Sequence, residues 1–84
     1  MNYMVEKKGI IIPLSDAPQG SVVKVVSLPP QPNLRMRLMQ MGLIPGAIIE
    51  IFHNNRGPLT IKVKGVMIGI GRGMARKILV QLIE

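Results

Sequence analysis

The stretch RLMQMGLIPGAIIEIF, residues 37–52, passes from a helical pattern to a strand pattern. Residues 34–41 consist of Leu, Arg, Met and Gln, which all favour a helix. Asn33 stands before them, and asparagine is a preferred N-cap residue. Gly42 follows them at the position where a helix commonly ends in the left-handed conformation. The sequence therefore predicts a short helix that begins after Asn33 and ends before Gly42.

Short segments rich in β-branched residues lie on both sides of this helix. Nine glycines and seven prolines interrupt the chain, a pattern typical of a small all-β domain. Because Gly65, Gly69 and Gly71 permit sharp bending, these segments suit a small barrel better than a flat sheet. We predict a mainly β fold, a small barrel of about five strands with the short helix inserted after the first strand. The predicted strands cover residues 21–28, 47–52, 59–65, 66–71 and 78–84.

The length and charge of the chain limit the classes of function. Eighty-four residues suffice for one domain, and a chain without cysteine forms neither disulfides nor thiolate metal sites. A net charge of +7 favours anionic partners such as nucleic acid, lipid headgroups or an acidic protein face. One Tyr and one Phe are few for a protein that stacks on nucleic-acid bases. No apolar run has the length of a membrane span or the form of a signal peptide, so we expect a cytoplasmic protein.

The residue types that usually carry catalysis are scattered along the chain. His53 is the only histidine, and a single histidine makes a poor metal site or general base. The segment GIGRG, residues 69–73, matches neither the dinucleotide-binding pattern nor the P-loop pattern. We therefore predict no enzymatic activity, no cofactor and no metal site. The four carboxylates are not spaced for acid–base chemistry: Glu6, Asp16, Glu50 and Glu84.

The methionines of the predicted helix divide into two groups. At 100° per residue, Leu34, Leu38 and Met41 form one apolar stripe with the i, i+4, i+7 spacing of a core-facing helix. Met36 and Met39 fall on the opposite side of the helix. We therefore predict that Met41 faces the core and that Met36 and Met39 face outwards.

Three hypotheses account for an outward pair of methionines. A Cu(I) site would use their thioethers, but it would need a third soft ligand that the chain does not supply nearby. The pair can also be a chance exposure, or be covered by the N-terminal residues. The third hypothesis is an adaptable contact surface for a partner protein, because methionine repacks easily. We predict that this contact surface consists of Arg35, Met36 and Met39. A second candidate surface consists of Lys62 and Lys64, which we expect on the outward face of one strand.

The order and spacing of glycine, proline and aliphatic positions across residues 13–84 resemble the FeoA family, the ferrous iron transport protein A type. Each match alone is weak, but together they form a specific signal that covers nearly the whole chain. The residues that carry the resemblance are Leu14, Gly20, Arg37, Leu38, Gly42, Leu43, Pro45, Gly46, Gly57, Pro58, Gly65, Arg72, Ala75, Ile78 and Val80.

The resemblance implies an SH3-like barrel and a cytosolic accessory role in ferrous iron uptake. The implied partner is the cytosolic part of a FeoB-type transporter, which carries a GTP-binding domain. The resemblance implies that the protein supports or regulates this transporter without moving iron itself. The resemblance therefore implies no catalytic residues, no small-molecule substrate, no nucleic acid, and contact with the membrane only through the partner.

Two further expectations concern organisation and alternatives. We predict a flexible N-terminal lead over residues 1–12 and the FeoA-like domain over residues 13–84. A basic barrel that binds RNA or another acidic partner is the alternative function. A barrel separated from a metal-dependent regulator is a third possibility, because similar barrels are appended to iron-dependent repressors.

Overall fold

The computed structural model describes residues 9–83. Within them the chain forms six strands: β1 (Ile11–Pro13), β2 (Val22–Ser27), β3 (Ile48–His53), β4 (Leu59–Val63), β5 (Val66–Ile70) and β6 (Leu79–Leu82). Helix α1 (Pro32–Gln40) connects β2 to β3, and the short helix α2 (Arg72–Ala75) connects β5 to β6. A single 3-10 turn at Leu14–Asp16 follows β1.

The strands form one antiparallel sheet in the order β1-β6-β2-β3-β4-β5. The prediction of about five strands missed β1, which is only three residues long and pairs Ile12 with Val80 of β6. Two residues of the predicted lead, Ile11 and Ile12, therefore belong to the sheet. Residues 1–8 lie outside the described residues, so the flexibility of the lead stays a prediction.

The core lies on one face of this curved sheet. In β4, Leu59, Ile61 and Val63 are buried while the residues between them are half-exposed, as the alternating sequence predicts. Each fully buried Leu or Ile side chain contributes about 1.5–3 kcal/mol to folding. The buried apolar side chains of the other strands are Val23, Val25, Ile49, Ile51, Ile70 and Val80.

Helix α1 begins earlier than predicted. Its N-cap is Gln31, with an extended backbone, and Pro32 occupies the first helical position. Proline is favoured there because its missing N–H would have had no partner inside the helix. The prediction of Asn33 as N-cap is therefore wrong, since Asn33 already lies inside the helix.

The C-terminal end of α1 is confirmed at Gly42, which has a φ of 94°. The Gly42 N–H donates to the Met39 carbonyl at 2.9 Å, and the Leu43 N–H donates to the Leu38 carbonyl at 3.0 Å. These two bonds form a Schellman motif, which satisfies the last carbonyls of the helix. Leu38 and Leu43 are both buried, so the motif also turns the chain into the core.

Candidate partner-binding surface

Helix α1 is held on the sheet by a narrow apolar stripe. Leu38 is only 2% exposed, and Leu34 and Met41 pack partly buried against the core. The opposite side of the helix is open, with Met36 62% exposed and Met39 42% exposed. The predicted division of the methionines is confirmed: one faces the core and two face outwards.

The two outward methionines line a shallow groove of about 460 Å³. Arg35 lies at the same groove, so the structure brings together the three residues of the first predicted surface. Ile44, in the loop after the helix, also lines the groove, and the sequence analysis did not include it. The result is an apolar surface with one cation beside it, and no histidine or cysteine among its lining residues.

The second predicted surface is divided by the structure. Strand β4 ends at Val63, so Lys64 lies in the following turn rather than on the outward face of the strand beside Lys62. The alternation of the sequence continued past the end of the strand, which is why the prediction of a shared face is wrong. Lys64 instead lines a second groove of about 480 Å³ that shares Met39 with the first.

Lys62 lies on the outer face of the sheet. Its ammonium group is 5.8 Å from the centroid of the Phe52 ring, within the range of a cation–π contact. Glu50 is its partner in the register between β3 and β4. Lys62 therefore has aromatic and acidic neighbours of its own, and it lines neither groove.

Lys64 and Gly65 form the two-residue turn between β4 and β5. Their φ angles are 52° and 79°, so both residues have left-handed backbones. This is the type I′ hairpin, in which asparagine is strongly preferred at the first position because it tolerates a positive φ. A lysine in this conformation costs about 1 kcal/mol.

Replacing Lys64 by asparagine is expected to raise the free energy of unfolding by about 0.5–1 kcal/mol. The gain comes from relief of backbone strain, and urea denaturation measures it. Lys64→Ala is the matched control, since it removes the same charge but keeps a side chain that disfavours positive φ. Equal stability of the two variants would contradict the strain explanation.

Arg72 performs a structural task that the sequence analysis missed. Its guanidinium donates to the Asn54 side-chain oxygen at 2.7 Å and to the Ser15 carbonyl at 3.3 Å. The Asn54 amide in turn donates to the Ala17 carbonyl at 2.6 Å. These bonds tie helix α2 and the β3–β4 loop to the 3-10 turn. Arg72 is thereby engaged with the fold and is not part of the candidate surface.

The described residues also bear on other kinds of site. Among residues 9–83, no three His, Cys, Asp or Glu side chains are grouped closely enough to hold a metal ion. The single histidine, His53, ends strand β3 and is exposed. None of the helices in the described part of the chain is long and apolar enough to cross a membrane.

A family model and a curated relative identify the family of this chain. The family model described as "FeoA domain" matches residues 12–82. One similar protein comes from Methanocaldococcus jannaschii and is named as an Fe(2+) transport protein A. It is 38% identical over 69 residues, which is 82% of this chain and 84% of that protein.

Solved structures agree with this family. The crystal structure of an iron uptake regulatory protein (FeoA) is 36% identical with a TM-score of 0.83, covering 88% of this chain and all of that one. FeoA of Stenotrophomonas maltophilia, described as a prokaryotic SH3 domain protein, is 19% identical with a TM-score of 0.68, over 80% of this chain and 86% of that one. The latter likeness confirms the SH3-like fold, here with an open sheet of six strands across residues 9–83. Since the family model matches most of the chain, the protein belongs to the FeoA domain family.

Proposed function

We propose that this protein is a non-enzymatic accessory of ferrous iron uptake that acts in the cytoplasm by binding the transporter. Its membership of the FeoA family supports this role, as do relatives named for Fe(2+) transport and for regulation of iron uptake. Contact with a partner would be its mode of action, because the exposed features within residues 9–83 include two apolar grooves with cations beside them.

The proposed partner is the cytosolic part of a FeoB-type transporter, which carries a GTP-binding domain. The observation that carries the proposal is the groove on the outer side of α1, where Met36 and Met39 are exposed side by side. Unbranched thioether side chains adapt to the shape of a partner at little cost. Arg35 beside them can form a bidentate hydrogen-bonded pair with a carboxylate of that partner. The groove therefore combines an adaptable apolar contact with a charge that can orient the partner.

An amide chemical-shift titration tests this function. Isotope-labelled protein is titrated with the purified cytosolic domain of the ferrous iron transporter from the same organism, and with an unrelated GTP-binding domain as control. We expect shifts concentrated at residues 34–42 with the transporter domain only, because α1 carries the proposed contact.

Two other results would redirect the proposal. Shifts confined to the outer face of the sheet, around Lys62, would place the contact on the second candidate surface. No shifts at high concentration of the transporter domain would remove that domain as a direct partner. The next titration would then use a single-stranded RNA, for which binding should weaken steeply with salt because each phosphate contact releases counterions.

A further inference from the structure

The two edges of the sheet are protected to different degrees. Strand β1 is three residues long and ends in Pro13, and both features discourage the addition of another strand. Strand β5 is five residues long, Val66–Ile70, and contains neither a proline nor a charged residue. Natural sheets usually protect an edge with such residues or with a covering element, because an unprotected edge pairs readily with another chain. The edge of β5 therefore requires an explanation.

The register of the β4–β5 hairpin identifies the groups on this edge. Val66 pairs with Val63 directly beside the two-residue turn, so these two residues are hydrogen-bonded to each other. Because hydrogen-bonded and non-hydrogen-bonded pairs alternate along an antiparallel ladder, Ile68 and Ile70 are also hydrogen-bonded to β4. Met67 and Gly69 then direct their N–H and C=O groups away from β4. Within residues 9–83, neither makes a backbone hydrogen bond to a turn, loop or further element. Four backbone groups are thus available to an added strand.

An apolar surface adjoins the same edge. Val66 and Ile68 line the groove that also contains Met39 and Met41 of the α1 region, and Val66 is 59% exposed. A strand added to β5 would direct every second side chain towards this groove, since successive side chains alternate between the two faces. The groove thus provides contacts for alternate apolar side chains of the incoming segment.

The positive charge near the edge of β5 indicates which kind of segment would bind there. Lys64 lies in the adjoining turn, and Lys62 is the partner of Met67 in the register. The carboxylate nearest in the register is Glu50, which pairs with Lys62 from β3, on the side away from the edge, so the cation that directly adjoins the edge is Lys64. A second copy of this chain, with a net charge of +7, would bring like charges together at the edge. An acidic segment would instead meet opposite charges.

We propose that the free edge of β5 binds an extended segment of a partner protein in which acidic and apolar residues alternate, and that this segment becomes a seventh strand of the sheet. The proposal deepens the proposed function and rests on it only in assuming a protein partner. Main-chain hydrogen bonds would supply affinity, and the groove and the lysines would supply selectivity.

Amide hydrogen exchange tests the proposal directly. The probe is a capped nine-residue peptide of alternating valine and glutamate, and the control peptide has lysine in place of glutamate. At saturation we expect exchange at the Met67 and Gly69 amides to slow at least tenfold, with little change at Val66 and Ile68, which are already bonded to β4. Unchanged exchange at Met67 and Gly69, or equal binding of the lysine peptide, would overturn the proposal.

A matched pair of variants at Gly69 gives an independent test. Its φ lies outside the left-handed region, and a Cβ added there would have no atom within 4 Å. Gly69→Pro removes the outward N–H, which an edge strand tolerates, whereas Gly69→Ala retains it. We expect the proline variant to bind the glutamate peptide at least tenfold more weakly and the alanine variant to bind it within twofold of the parent protein. Equal binding by both variants contradicts the proposal, and if the proline variant fails to fold, the exchange measurement decides alone.

Sedimentation and the separate probes distinguish the remaining outcomes. A homodimer of the parent protein that Gly69→Pro dissociates would mean that a second copy occupies the edge, which overturns the choice of occupant. The peptide test contains no transporter domain, so its failure leaves the proposed contact of Met36 and Met39 intact. If the transporter titration shows no binding but the peptide binds to the edge of β5, the proposed function is rejected and this inference stands.

Discussion

Simultaneous replacement of Met36 and Met39 by aspartate is expected to weaken binding to the cytosolic transporter domain by about 100-fold or more. Both side chains are exposed and line the groove, so the change puts two carboxylates where the partner would bury apolar contacts. Unpaired charges in a desolvated contact are costly, and central contact residues carry most of the binding energy. Isothermal titration calorimetry measures the affinity.

The stability of this double variant separates contact from packing. The loss of helix propensity on changing two methionines to aspartate predicts a fall in the free energy of unfolding of about 1 kcal/mol or less. A fall of about 3 kcal/mol or more would be typical of a buried pair and would contradict the exposed arrangement. Undiminished affinity would remove the outer side of α1 as the contact surface.

Two controls accompany this prediction. The variant with leucine at both Met36 and Met39 keeps the apolar surface and is expected to bind within about threefold of the parent protein. Ile48→Asp places a carboxylate at an exposed apolar position of β3 that does not line the groove. It is expected to preserve binding, which would show that added negative charge alone does not explain the loss.

Replacement of Leu38 by alanine is expected to lower the free energy of unfolding by about 2–4 kcal/mol. Leu38 is the one buried side chain of α1 and is 2% exposed, so the change leaves a cavity where the helix meets the sheet. For a domain of this size, the melting temperature should fall by about 10–20 °C. Thermal unfolding followed by circular dichroism measures the change.

Leu34→Ala is the matched control for this second prediction. Leu34 lies on the same stripe one turn earlier but is only partly buried, so the expected loss is about 1 kcal/mol. Amide exchange should also rise more in α1 than in the centre of the sheet when Leu38 is shortened, because the helix loses its main anchor. Equal losses for the two variants would mean that burial does not determine how much each contact of this helix contributes to the free energy of unfolding.

The sequence predicted the end of the helix and its two sides because each depends on few neighbouring residues. Gly42 marks the end through its own backbone preference, and the spacing of Leu34 and Leu38 marks the inner side. The start was misplaced because Pro32 and Asn33 are both favourable near a helix N-terminus, and the proline position decided it.

Two of the missed features depend on residues far apart in the chain, and a third depends on where a strand ends. Strand β1 is too short to show a pattern and exists through its pairing with β6, about seventy residues later. The second groove arises where the end of α1 approaches Val66 and Ile68 of β5, which no local pattern indicates. The position of Lys64 was wrong because the alternation of charges continues past the last residue of β4.

The position of β6 between β1 and β2 has a consequence for how the chain acquires its structure. The only strand that pairs with β1 among the described residues is β6, and the Gly9 N–H donates to the Leu82 carbonyl at 2.8 Å. Synthesis proceeds from the N-terminus, so residues 11–13 must wait for their partner until residues 79–82 have emerged from the ribosome. Closing such a long loop is slow compared with forming the β3–β4–β5 meander. A nascent chain stopped before residue 79 would therefore lack both the pairing of β1 and the buried Val80, and the domain can complete its core only after residues 79–82 have left the ribosome.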